Sequence, residues 1–579
     1  VPSPTRIRRR APATGLDQCH ALHPVLRRVY AARGLASQAD TEPRLAALLA
    51  PSQLGGLDAA VELLQTALRD DARILVIGDF DADGATGTAV AVRGLRLLGA
   101  RNVGFRLPHR MTHGYGLSPE LVADLGEARP DLLLTVDSGI ACLRGVAAAR
   151  AAGLRVIVTD HHLPGNELPV ADAIVNPNLR GDAFPSKALA GVGVVFYLLL
   201  ALRARLRAAG WFATRGIAEP DLSVLLDLVA LGTVADMVPL DANNRVLVAA
   251  GLKRLRAGHG QPGVRALIDV AGRRADRLNA SDLGYSVAPR LNAAGRLDDM
   301  SLGVECLLCD DPAVAATLAA QLHAINSERR DLQQQMLEQA DAMVQRWLGR
   351  VGGALPHGVA VFDAQWHPGV IGLVASKLKD SLHRPVIAFA PGGDDGLLRG
   401  SARSIRGFHI RDALADLAAA DPDLIVRFGG HAMAAGLTLA PSQLPRFTTA
   451  FDALAAHRLD AAALQAELWT DGALDRGDLC RALAEDLRYA GPWGQGFPEP
   501  VFDDEFTVES WKTVGTAHLK LTLRHRDGGE PLDAIEFDGW RGDPPPARVH
   551  LAYQLELDDW RDRHGVQLLV RLRLPAHAG

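Results

Sequence analysis

Three short apolar runs, each closed by carboxylate or imidazole side chains, limit what this 579-residue chain can fold into. Ile74-Leu75-Val76-Ile77 leads into Gly78-Asp79-Phe80-Asp81-Ala82-Asp83-Gly84, Leu132-Leu133-Leu134-Thr135-Val136 into Asp137, and Val156-Ile157-Val158-Thr159 into Asp160-His161-His162. Near-continuous hydrophobicity marks strands covered on both faces, the signature of a parallel sheet, and the Ala/Leu-rich segments between the runs predict helical crossovers. An open α/β sheet gathers its functional groups at the carboxyl ends of its strands, so the three clusters are expected to converge. Asp236, in Gly232-Thr233-Val234-Ala235-Asp236-Met237-Val238, ends a further apolar stretch of helical character that begins near Leu222.

The residue types define a chemistry. Alternation along an extended strand end is expected to point Asp79, Asp81 and Asp83 to one side, and crowded buried carboxylates are costly unless a cation offsets them. Taken alone, the segment also reads as an acidic turn closed by Gly84. Hard oxygen donors with one or two imidazoles suit Mn²⁺ or Mg²⁺, and the absence of cysteine from the cluster argues against a thiolate zinc site. Asp81, Asp83, Asp137, His161 and Asp236 are more ligands than one catalytic ion needs, so two are expected. Ions about 4 Å apart would stabilise the attacking and leaving oxygens of a phosphoryl displacement, with Asp137 as the expected bridge.

At these residues, and at His109-Arg110, His113-Gly114-Tyr115-Gly116-Leu117, Ala288-Pro289-Arg290-Leu291-Asn292-Ala293-Ala294-Gly295-Arg296 and Gly429-Gly430-His431-Ala432, the chain resembles the DHH phosphoesterase superfamily. Within it, the chain resembles the RecJ family of single-strand-specific DNA exonucleases. The resemblance implies that Asp81 sits mainly on one ion and Asp83, His161 and Asp236 on the other. Asp79 is either a further ligand or an acceptor that orients one, and His162 either contacts the scissile phosphate or donates a proton. His109, Arg110, Arg290, Asn292, Arg296, His367, Arg403, Ser404, Gly430 and His431 are the expected substrate contacts, with Arg290 and Arg296 flanking Asn292 in a Gly/Ala-rich turn open to close backbone approach.

The expected architecture is α/β. Residues 1–50 form an N-terminal extension, 51–250 the parallel-sheet catalytic domain and 251–354 a helical connector dominated by a long helix from about Asp311 to Arg350. Residues 355–465 form a second α/β, DHH-associated domain that binds substrate, and 466–579 an OB-like β barrel for nucleic acid. In the second domain Trp366-His367-Pro368-Gly369-Val370-Ile371-Gly372 opens a helix whose free amides suit a phosphate. Arg329 and Arg330 on the long helix, and Trp511 and Lys512 in the barrel, are weaker candidates for contact with DNA.

Composition bears on partners and compartment. A net charge of −5 does not argue against nucleic acid, because an acidic metal cluster lowers the sum without preventing a basic channel. The five scattered cysteines disfavour a disulfide framework and suggest a reducing cytoplasm. Cys306-Leu307-Leu308-Cys309 lacks a second pair and reads as two small apolar positions at a helix end. The Arg-rich start, Arg6 to Arg10, lacks an apolar core behind it and is expected to be a short disordered arm rather than a secretory signal. By resemblance, the chain degrades single-stranded DNA 5′ to 3′ to mononucleotides in DNA repair and recombination, beside single-strand-binding protein and a helicase. The competing readings are a DHH phosphoesterase for short oligonucleotides or small phosphates, which would not need the long helix and barrel, and a DNA-binding scaffold with a decayed site, which the intact ligand set disfavours.

Overall fold

The structure is a computed structural model that describes residues 5–11, 13–109, 113–126, 129–350, 355–393, 395–558 and 565–576, without the side chains of 346–350. The apolar runs form the expected strands. Ile74–Ile77, Val103–Arg106, Leu132–Val136, Arg155–Thr159 and Ala173–Val175 make a wholly parallel sheet. Its spatial order starts at Val103–Arg106, passes through Ile74–Ile77, Leu132–Val136 and Arg155–Thr159, and ends at Ala173–Val175. All five residues of Leu132–Val136 are buried, which accounts for the lack of alternation there. The helices Ala82–Leu97, Gly191–Ala208 and Leu226–Ala235 pack on one another and on this sheet. Their shared apolar residues place the core directly beneath the carboxyl ends of the central strands.

The connector ends in a 39-residue helix, Pro312–Arg350, which at 1.5 Å per residue spans roughly 58 Å. Its first half buries Ala315, Ala319 and Leu322 against the catalytic core, and its second half buries Met336, Ala340 and Val344 against the next domain. One rigid rod thus sets the spacing of two α/β bodies. The second body has a mixed five-stranded sheet in which Val359–Phe362 pairs in parallel with Val386–Pro391. Leu398–Arg403, Ala434–Leu439 and Arg427–Gly430 continue it antiparallel. The C-terminal strands Phe502–Val514, His518–His525, Leu532–Glu536, Gly565–Pro575 and Arg548–Asp558 close into a barrel, which removes free sheet edges.

The N-terminal arm departs from expectation. Arg6–Arg9 is a strand paired in parallel with Glu467–Thr470. Its arginines find partners far along the chain: Arg8 meets Glu467 at 3.0 Å and lies over the Trp469 ring, and Arg9 meets Asp503 at 2.8 Å. A run of like charges looked disordered in isolation because its counter-charges lie more than 450 positions away. The segment Ala288–Leu297 is likewise a helix and not a turn, started by Pro289 in its first turn. The close approach expected of it is present: a Cβ on Gly295 would lie 1.7 Å from the carbonyl oxygen of Phe80.

Candidate active site

The acidic loop is built differently from a strand end. The strand stops at Ile77, Asp81 caps the helix Ala82–Leu97 by accepting from Gly84 N–H at 3.0 Å, and Asp83 lies in the first helical turn. The cap is held by Asn292, whose side-chain oxygen accepts from Ala82 N–H at 2.9 Å. Asp83 is buried, and both its oxygens accept backbone N–H groups at the start of the helix Gly191–Ala208, Gly191 at 2.7 Å and Val192 at 2.9 Å. Asp137 follows its strand with a φ of +57°, an unfavourable region for a residue with a side chain. Gly191 makes room for it, since a Cβ there would fall 2.5 Å from Asp137 Cβ. Asp236 caps the end of Leu226–Ala235 and enters the cluster from below.

The donor atoms converge. Three sets each lie with all ligand atoms within 4.8 Å of one another: Asp79, Asp81 and Asp137; Asp83, His161 and Asp236; and Asp137, His161 and His162. Asp137 Oδ1 and His161 Nε2 are 3.0 Å apart, yet both are buried without a hydrogen-bonding partner. Two buried acceptor-bearing atoms this close, each without a satisfied hydrogen bond, could both ligate a cation. His161 Nε2 is also 3.5 Å from Asp236 Oδ2.

The electrostatics agree. Burial, reinforced by the neighbouring carboxylates, holds Asp137 and Asp236 well above the ordinary carboxylate range, and burial with Asp81 nearby raises Asp83 to about 7. Bound divalent charge would reverse these shifts. Burial and the adjacent His162 lower His161 to about 4, so its ring is neutral near neutral pH. For His162, burial acts to lower the pKa, but the hydrogen bond to Asp160 and the surrounding carboxylates outweigh it and raise it. Adjacent histidines are thus tuned in opposite directions.

Asp160 organises this pair and went unassigned among the expected site residues. Its Oδ1 accepts from His161 N–H at 2.8 Å and His162 N–H at 3.0 Å and lies 2.8 Å from His162 Nδ1, while Oδ2 accepts from Ile140 N–H at 2.9 Å. Tyr115 donates to the carbonyl oxygen of Asp137 at 3.1 Å, and Asn176 and Asn178 donate to the carbonyls of His162 and His161. The sequence carried a signal for the asparagines in Asn176-Pro177-Asn178, a turn after the strand Ala173–Val175.

The second domain faces the cluster. The ring of His431 lies 6.4 Å from that of His162 with their planes 28° apart, and Gly430, at φ +142°, permits the tight backbone before it. Arg403 bonds Ser401 Oγ at 3.1 Å and the carbonyl of Ala402 at 2.8 Å, and its guanidinium has no carboxylate partner among the described residues. Gly372, at the start of the helix Ile371–Leu382, lets Arg403 approach to 3.1 Å from where a Cβ would stand. Arg296 reaches across to the carbonyl of Gly369 at 3.4 Å, and His367 Nδ1 accepts from Gly369 N–H at 3.1 Å.

Other expected substrate contacts are engaged in structure. Arg290 is buried and bonds His323 Nδ1 at 3.1 Å and the carbonyls of Ser286 and Val270. The Ser404 hydroxyl is buried and donates to the carbonyl of Phe408 at 2.6 Å. His109 is exposed, and Arg110 lies outside the described residues.

A parallel sheet whose carboxyl edge presents an acidic helix cap, a lone aspartate and an Asp-His-His turn, roofed by a second α/β domain, defines a metal-dependent phosphoesterase of the DHH class. The DHH family, N-terminal domain, matches residues 73–233, the DHHA1 domain residues 356–457 and the RecJ OB domain residues 470–571. The single-stranded-DNA-specific exonuclease RecJ of Dickeya dadantii is 51% identical over 570 residues, 98% of each chain. That of Escherichia coli is 49% identical over 569 residues, again 98% of each. The crystal structure of RecJ from Thermus thermophilus with Mn²⁺ superimposes with a TM-score of 0.81 at 33% identity, covering 99% of this chain and 80% of that one. Its Mg²⁺ complex gives 0.76 at 31% identity, covering 99% and 79%. The chain belongs to the RecJ family of single-stranded-DNA-specific exonucleases.

Proposed function

We infer that this chain is a single-stranded-DNA exonuclease that uses two Mn²⁺ or Mg²⁺ ions. The observation that carries the reading is the pair of partnerless atoms, Asp137 Oδ1 and His161 Nε2, 3.0 Å apart at the centre of a carboxylate cluster. Asp79, Asp81 and Asp137 would hold one ion, and Asp83, His161 and Asp236 the other, with Asp137 between them. When bound, such a pair neutralises charge on both oxygens of an in-line phosphoryl displacement.

The chain's own groups supply the rest. Asp83 is fixed by two backbone N–H bonds and cannot swing away. Neutral His161 offers a lone pair, while His162, whose hold on a proton Asp160 strengthens, stands beside it to give a proton to the departing oxygen. Arg403 and His431 grip the phosphodiester from the facing domain, and the helix starting at Ile371 adds unpaired amides. The His431 ring, 6.4 Å from that of His162 with their planes 28° apart, brings the facing domain up to the Asp-His-His turn, so a phosphodiester there would be contacted from both bodies.

The direction we propose is 5′ to 3′, with mononucleotides as products, in DNA repair and recombination beside single-strand-binding protein and a helicase; family resemblance supports these points. A cytoplasmic setting is supported by five free cysteines. The test is a substrate panel of single-stranded DNA, blunt duplex and a dinucleotide with Mn²⁺, Mg²⁺ or chelator, beside a folded Asp137→Ala variant. Metal-dependent loss of the single strand alone supports the reading. Cleavage of the dinucleotide alone, or full activity in the variant, contradicts it.

A further inference from the structure

Two chain segments set the positions of Asp83, Asp137 and Asp236. One runs from Ser186 to Val192: the N–H groups of Gly191 and Val192 seat Asp83, and the missing side chain of Gly191 leaves room for Asp137. The other runs from Asp236 to Asp241, which caps the helix Ala242–Arg256. The first segment and the helix that leads into the second meet closely at the ligands, where a Cβ on Gly232 would fall 3.0 Å from Asp83 Oδ1 and 2.9 Å from Val192 Cγ1. The second segment is also bent into an unfavourable shape, since Met237, directly after Asp236, has a φ of +60°. Such a conformation persists only where the surrounding structure over-determines it. Met237 is itself 62% exposed, so the hold comes from further along the segment.

Asn244 supplies that hold. Its side chain is buried, and Nδ2 donates to the carbonyl oxygens of Ala188 at 2.7 Å and Pro239 at 2.9 Å. Ala188 precedes Gly191 and Pro239 follows Asp236, each by three residues, so one amide group bridges both segments. Both partners can only accept, which fixes the amide nitrogen as the atom that faces them. Asn244 Oδ1 is buried without a hydrogen-bonding partner among the described residues, and donation is therefore what the side chain is placed to do. A second tie runs beside the first: Ser186 Oγ donates to Asp241 Oδ2 at 2.6 Å, and Asp241 Oδ1 accepts from Asn244 N–H at 2.9 Å. Ser186, Asp241 and Asn244 thus bracket the two segments behind the metal cluster.

We propose that Asn244, with the Ser186–Asp241 pair, is a positioning residue that fixes Asp236 relative to the seats of Asp83 and Asp137 and so sets the affinity of the second ion. This role rests on the two-ion reading and adds to it the residues that space the ligands. Removing a group that orients metal ligands without touching the ion weakens metal affinity or activity by ~10- to 100-fold. Asn244→Ala should weaken the ion held by Asp83, His161 and Asp236 by about that factor. Ser186→Ala, which loses one of the two ties, should weaken it less. The ion beside Asp79 and Asp81 should bind as before.

The experiment titrates the full chain with Mn²⁺ and follows free Mn²⁺ by its electron paramagnetic resonance signal. The control is Asn243→Ala: Asn243 is also buried and lies on the same helix, but its Oδ1 accepts from Tyr197 Oη at 2.8 Å and Leu49 N–H at 3.2 Å and touches neither segment. Wild-type protein should take up two ions, Asn244→Ala and Ser186→Ala should lose affinity for one of them only, and Asn243→Ala should melt lower yet bind both as wild type does. Turnover of single-stranded DNA by Asn244→Ala should fall at limiting Mn²⁺ and recover when Mn²⁺ is raised by the same factor, which a loss of folded protein would not do. Ser186→Ala removes a single hydroxyl and carries the test if Asn244→Ala does not fold. Isotherms of the tie variants that coincide with wild type, or equal weakening in Asn243→Ala, overturn the proposal. A single ion on wild-type protein would instead defeat the two-ion reading, and the bracket would still stand if Asn244→Ala weakened that ion.

Discussion

Replacing Gly191 with alanine should disable catalysis without unfolding the chain. Gly191 begins the helix Gly191–Ala208, and its N–H donates to Asp83 Oδ2 at 2.7 Å. An added Cβ would lie 2.5 Å from Asp137 Cβ and 2.7 Å from Asp137 Oδ1. Carbon atoms in good contact stand ~3.5–4.0 Å apart, so the Asp137 carboxylate or the helix start must retreat by about 1 Å. A shift of that size in a catalytic group costs on the order of 10²-fold in rate, while overpacking costs about 1–3 kcal/mol of stability. The control is Gly193→Ala, whose Cβ would press first on the side chain of Leu189, 2.6 Å from Cδ1. Both variants should melt a few degrees below wild type, but only Gly191→Ala should lose Mn²⁺-dependent hydrolysis of single-stranded DNA. Wild-type turnover in Gly191→Ala, or equal loss in Gly193→Ala, would refute the placement of Asp137 at the reacting centre.

Asp160→Asn replaces an acceptor of four contacts with a group that must leave either Ile140 N–H or the His161–His162 turn unmatched; a cost of about 1–3 kcal/mol and a fall in the upper pH limit of activity, read from rate profiles, should follow because His162 loses the carboxylate that raises its pKa. Arg403→Gln should raise KM for single-stranded DNA by roughly tenfold, the worth of a charge-assisted hydrogen bond, and leave the Mn²⁺ titration midpoint where it was. Asp503 is held far below the ordinary carboxylate range: burial acts to raise it, but bonds from His550, Arg9 and Thr470 outweigh that. Its contribution to the fold is therefore full above the unfolded carboxylate value of ~3.9 and is lost progressively as pH falls from there through its much lower folded value. Asp503→Asn should cost about 1–3 kcal/mol near neutral pH, and the gap to wild type in denaturant melts should narrow on acidification below ~4.

Much of the site was legible because strand ends are local signals. Apolar runs ending in Asp137 and Asp160-His161-His162 place those residues on one sheet edge once the strands are parallel, whatever their exact register. Asp79, Asp81 and Asp83 come together for a reason other than the alternation expected, through a helix cap and its first turn. Long-range partners were not legible. Arg290 has the residue type of a phosphate contact but is consumed by His323 and two carbonyls, and Ser404 by Phe408. Arg9 looked like part of a free arm until Asp503 stood opposite it. Gly191 gives no sequence cue, since its value lies in the space it leaves beside Asp137.

The central claim is a two-ion centre with Asp137 between the ions. Crystals of the full chain soaked in Mn²⁺ and measured at the manganese absorption edge test it directly. The account predicts two anomalous peaks about 4 Å apart, one beside Asp79 and Asp81, the other beside Asp83, His161 and Asp236, each in reach of the Asp137 carboxylate. A single peak, or a pair that Asp137 does not touch, would contradict it.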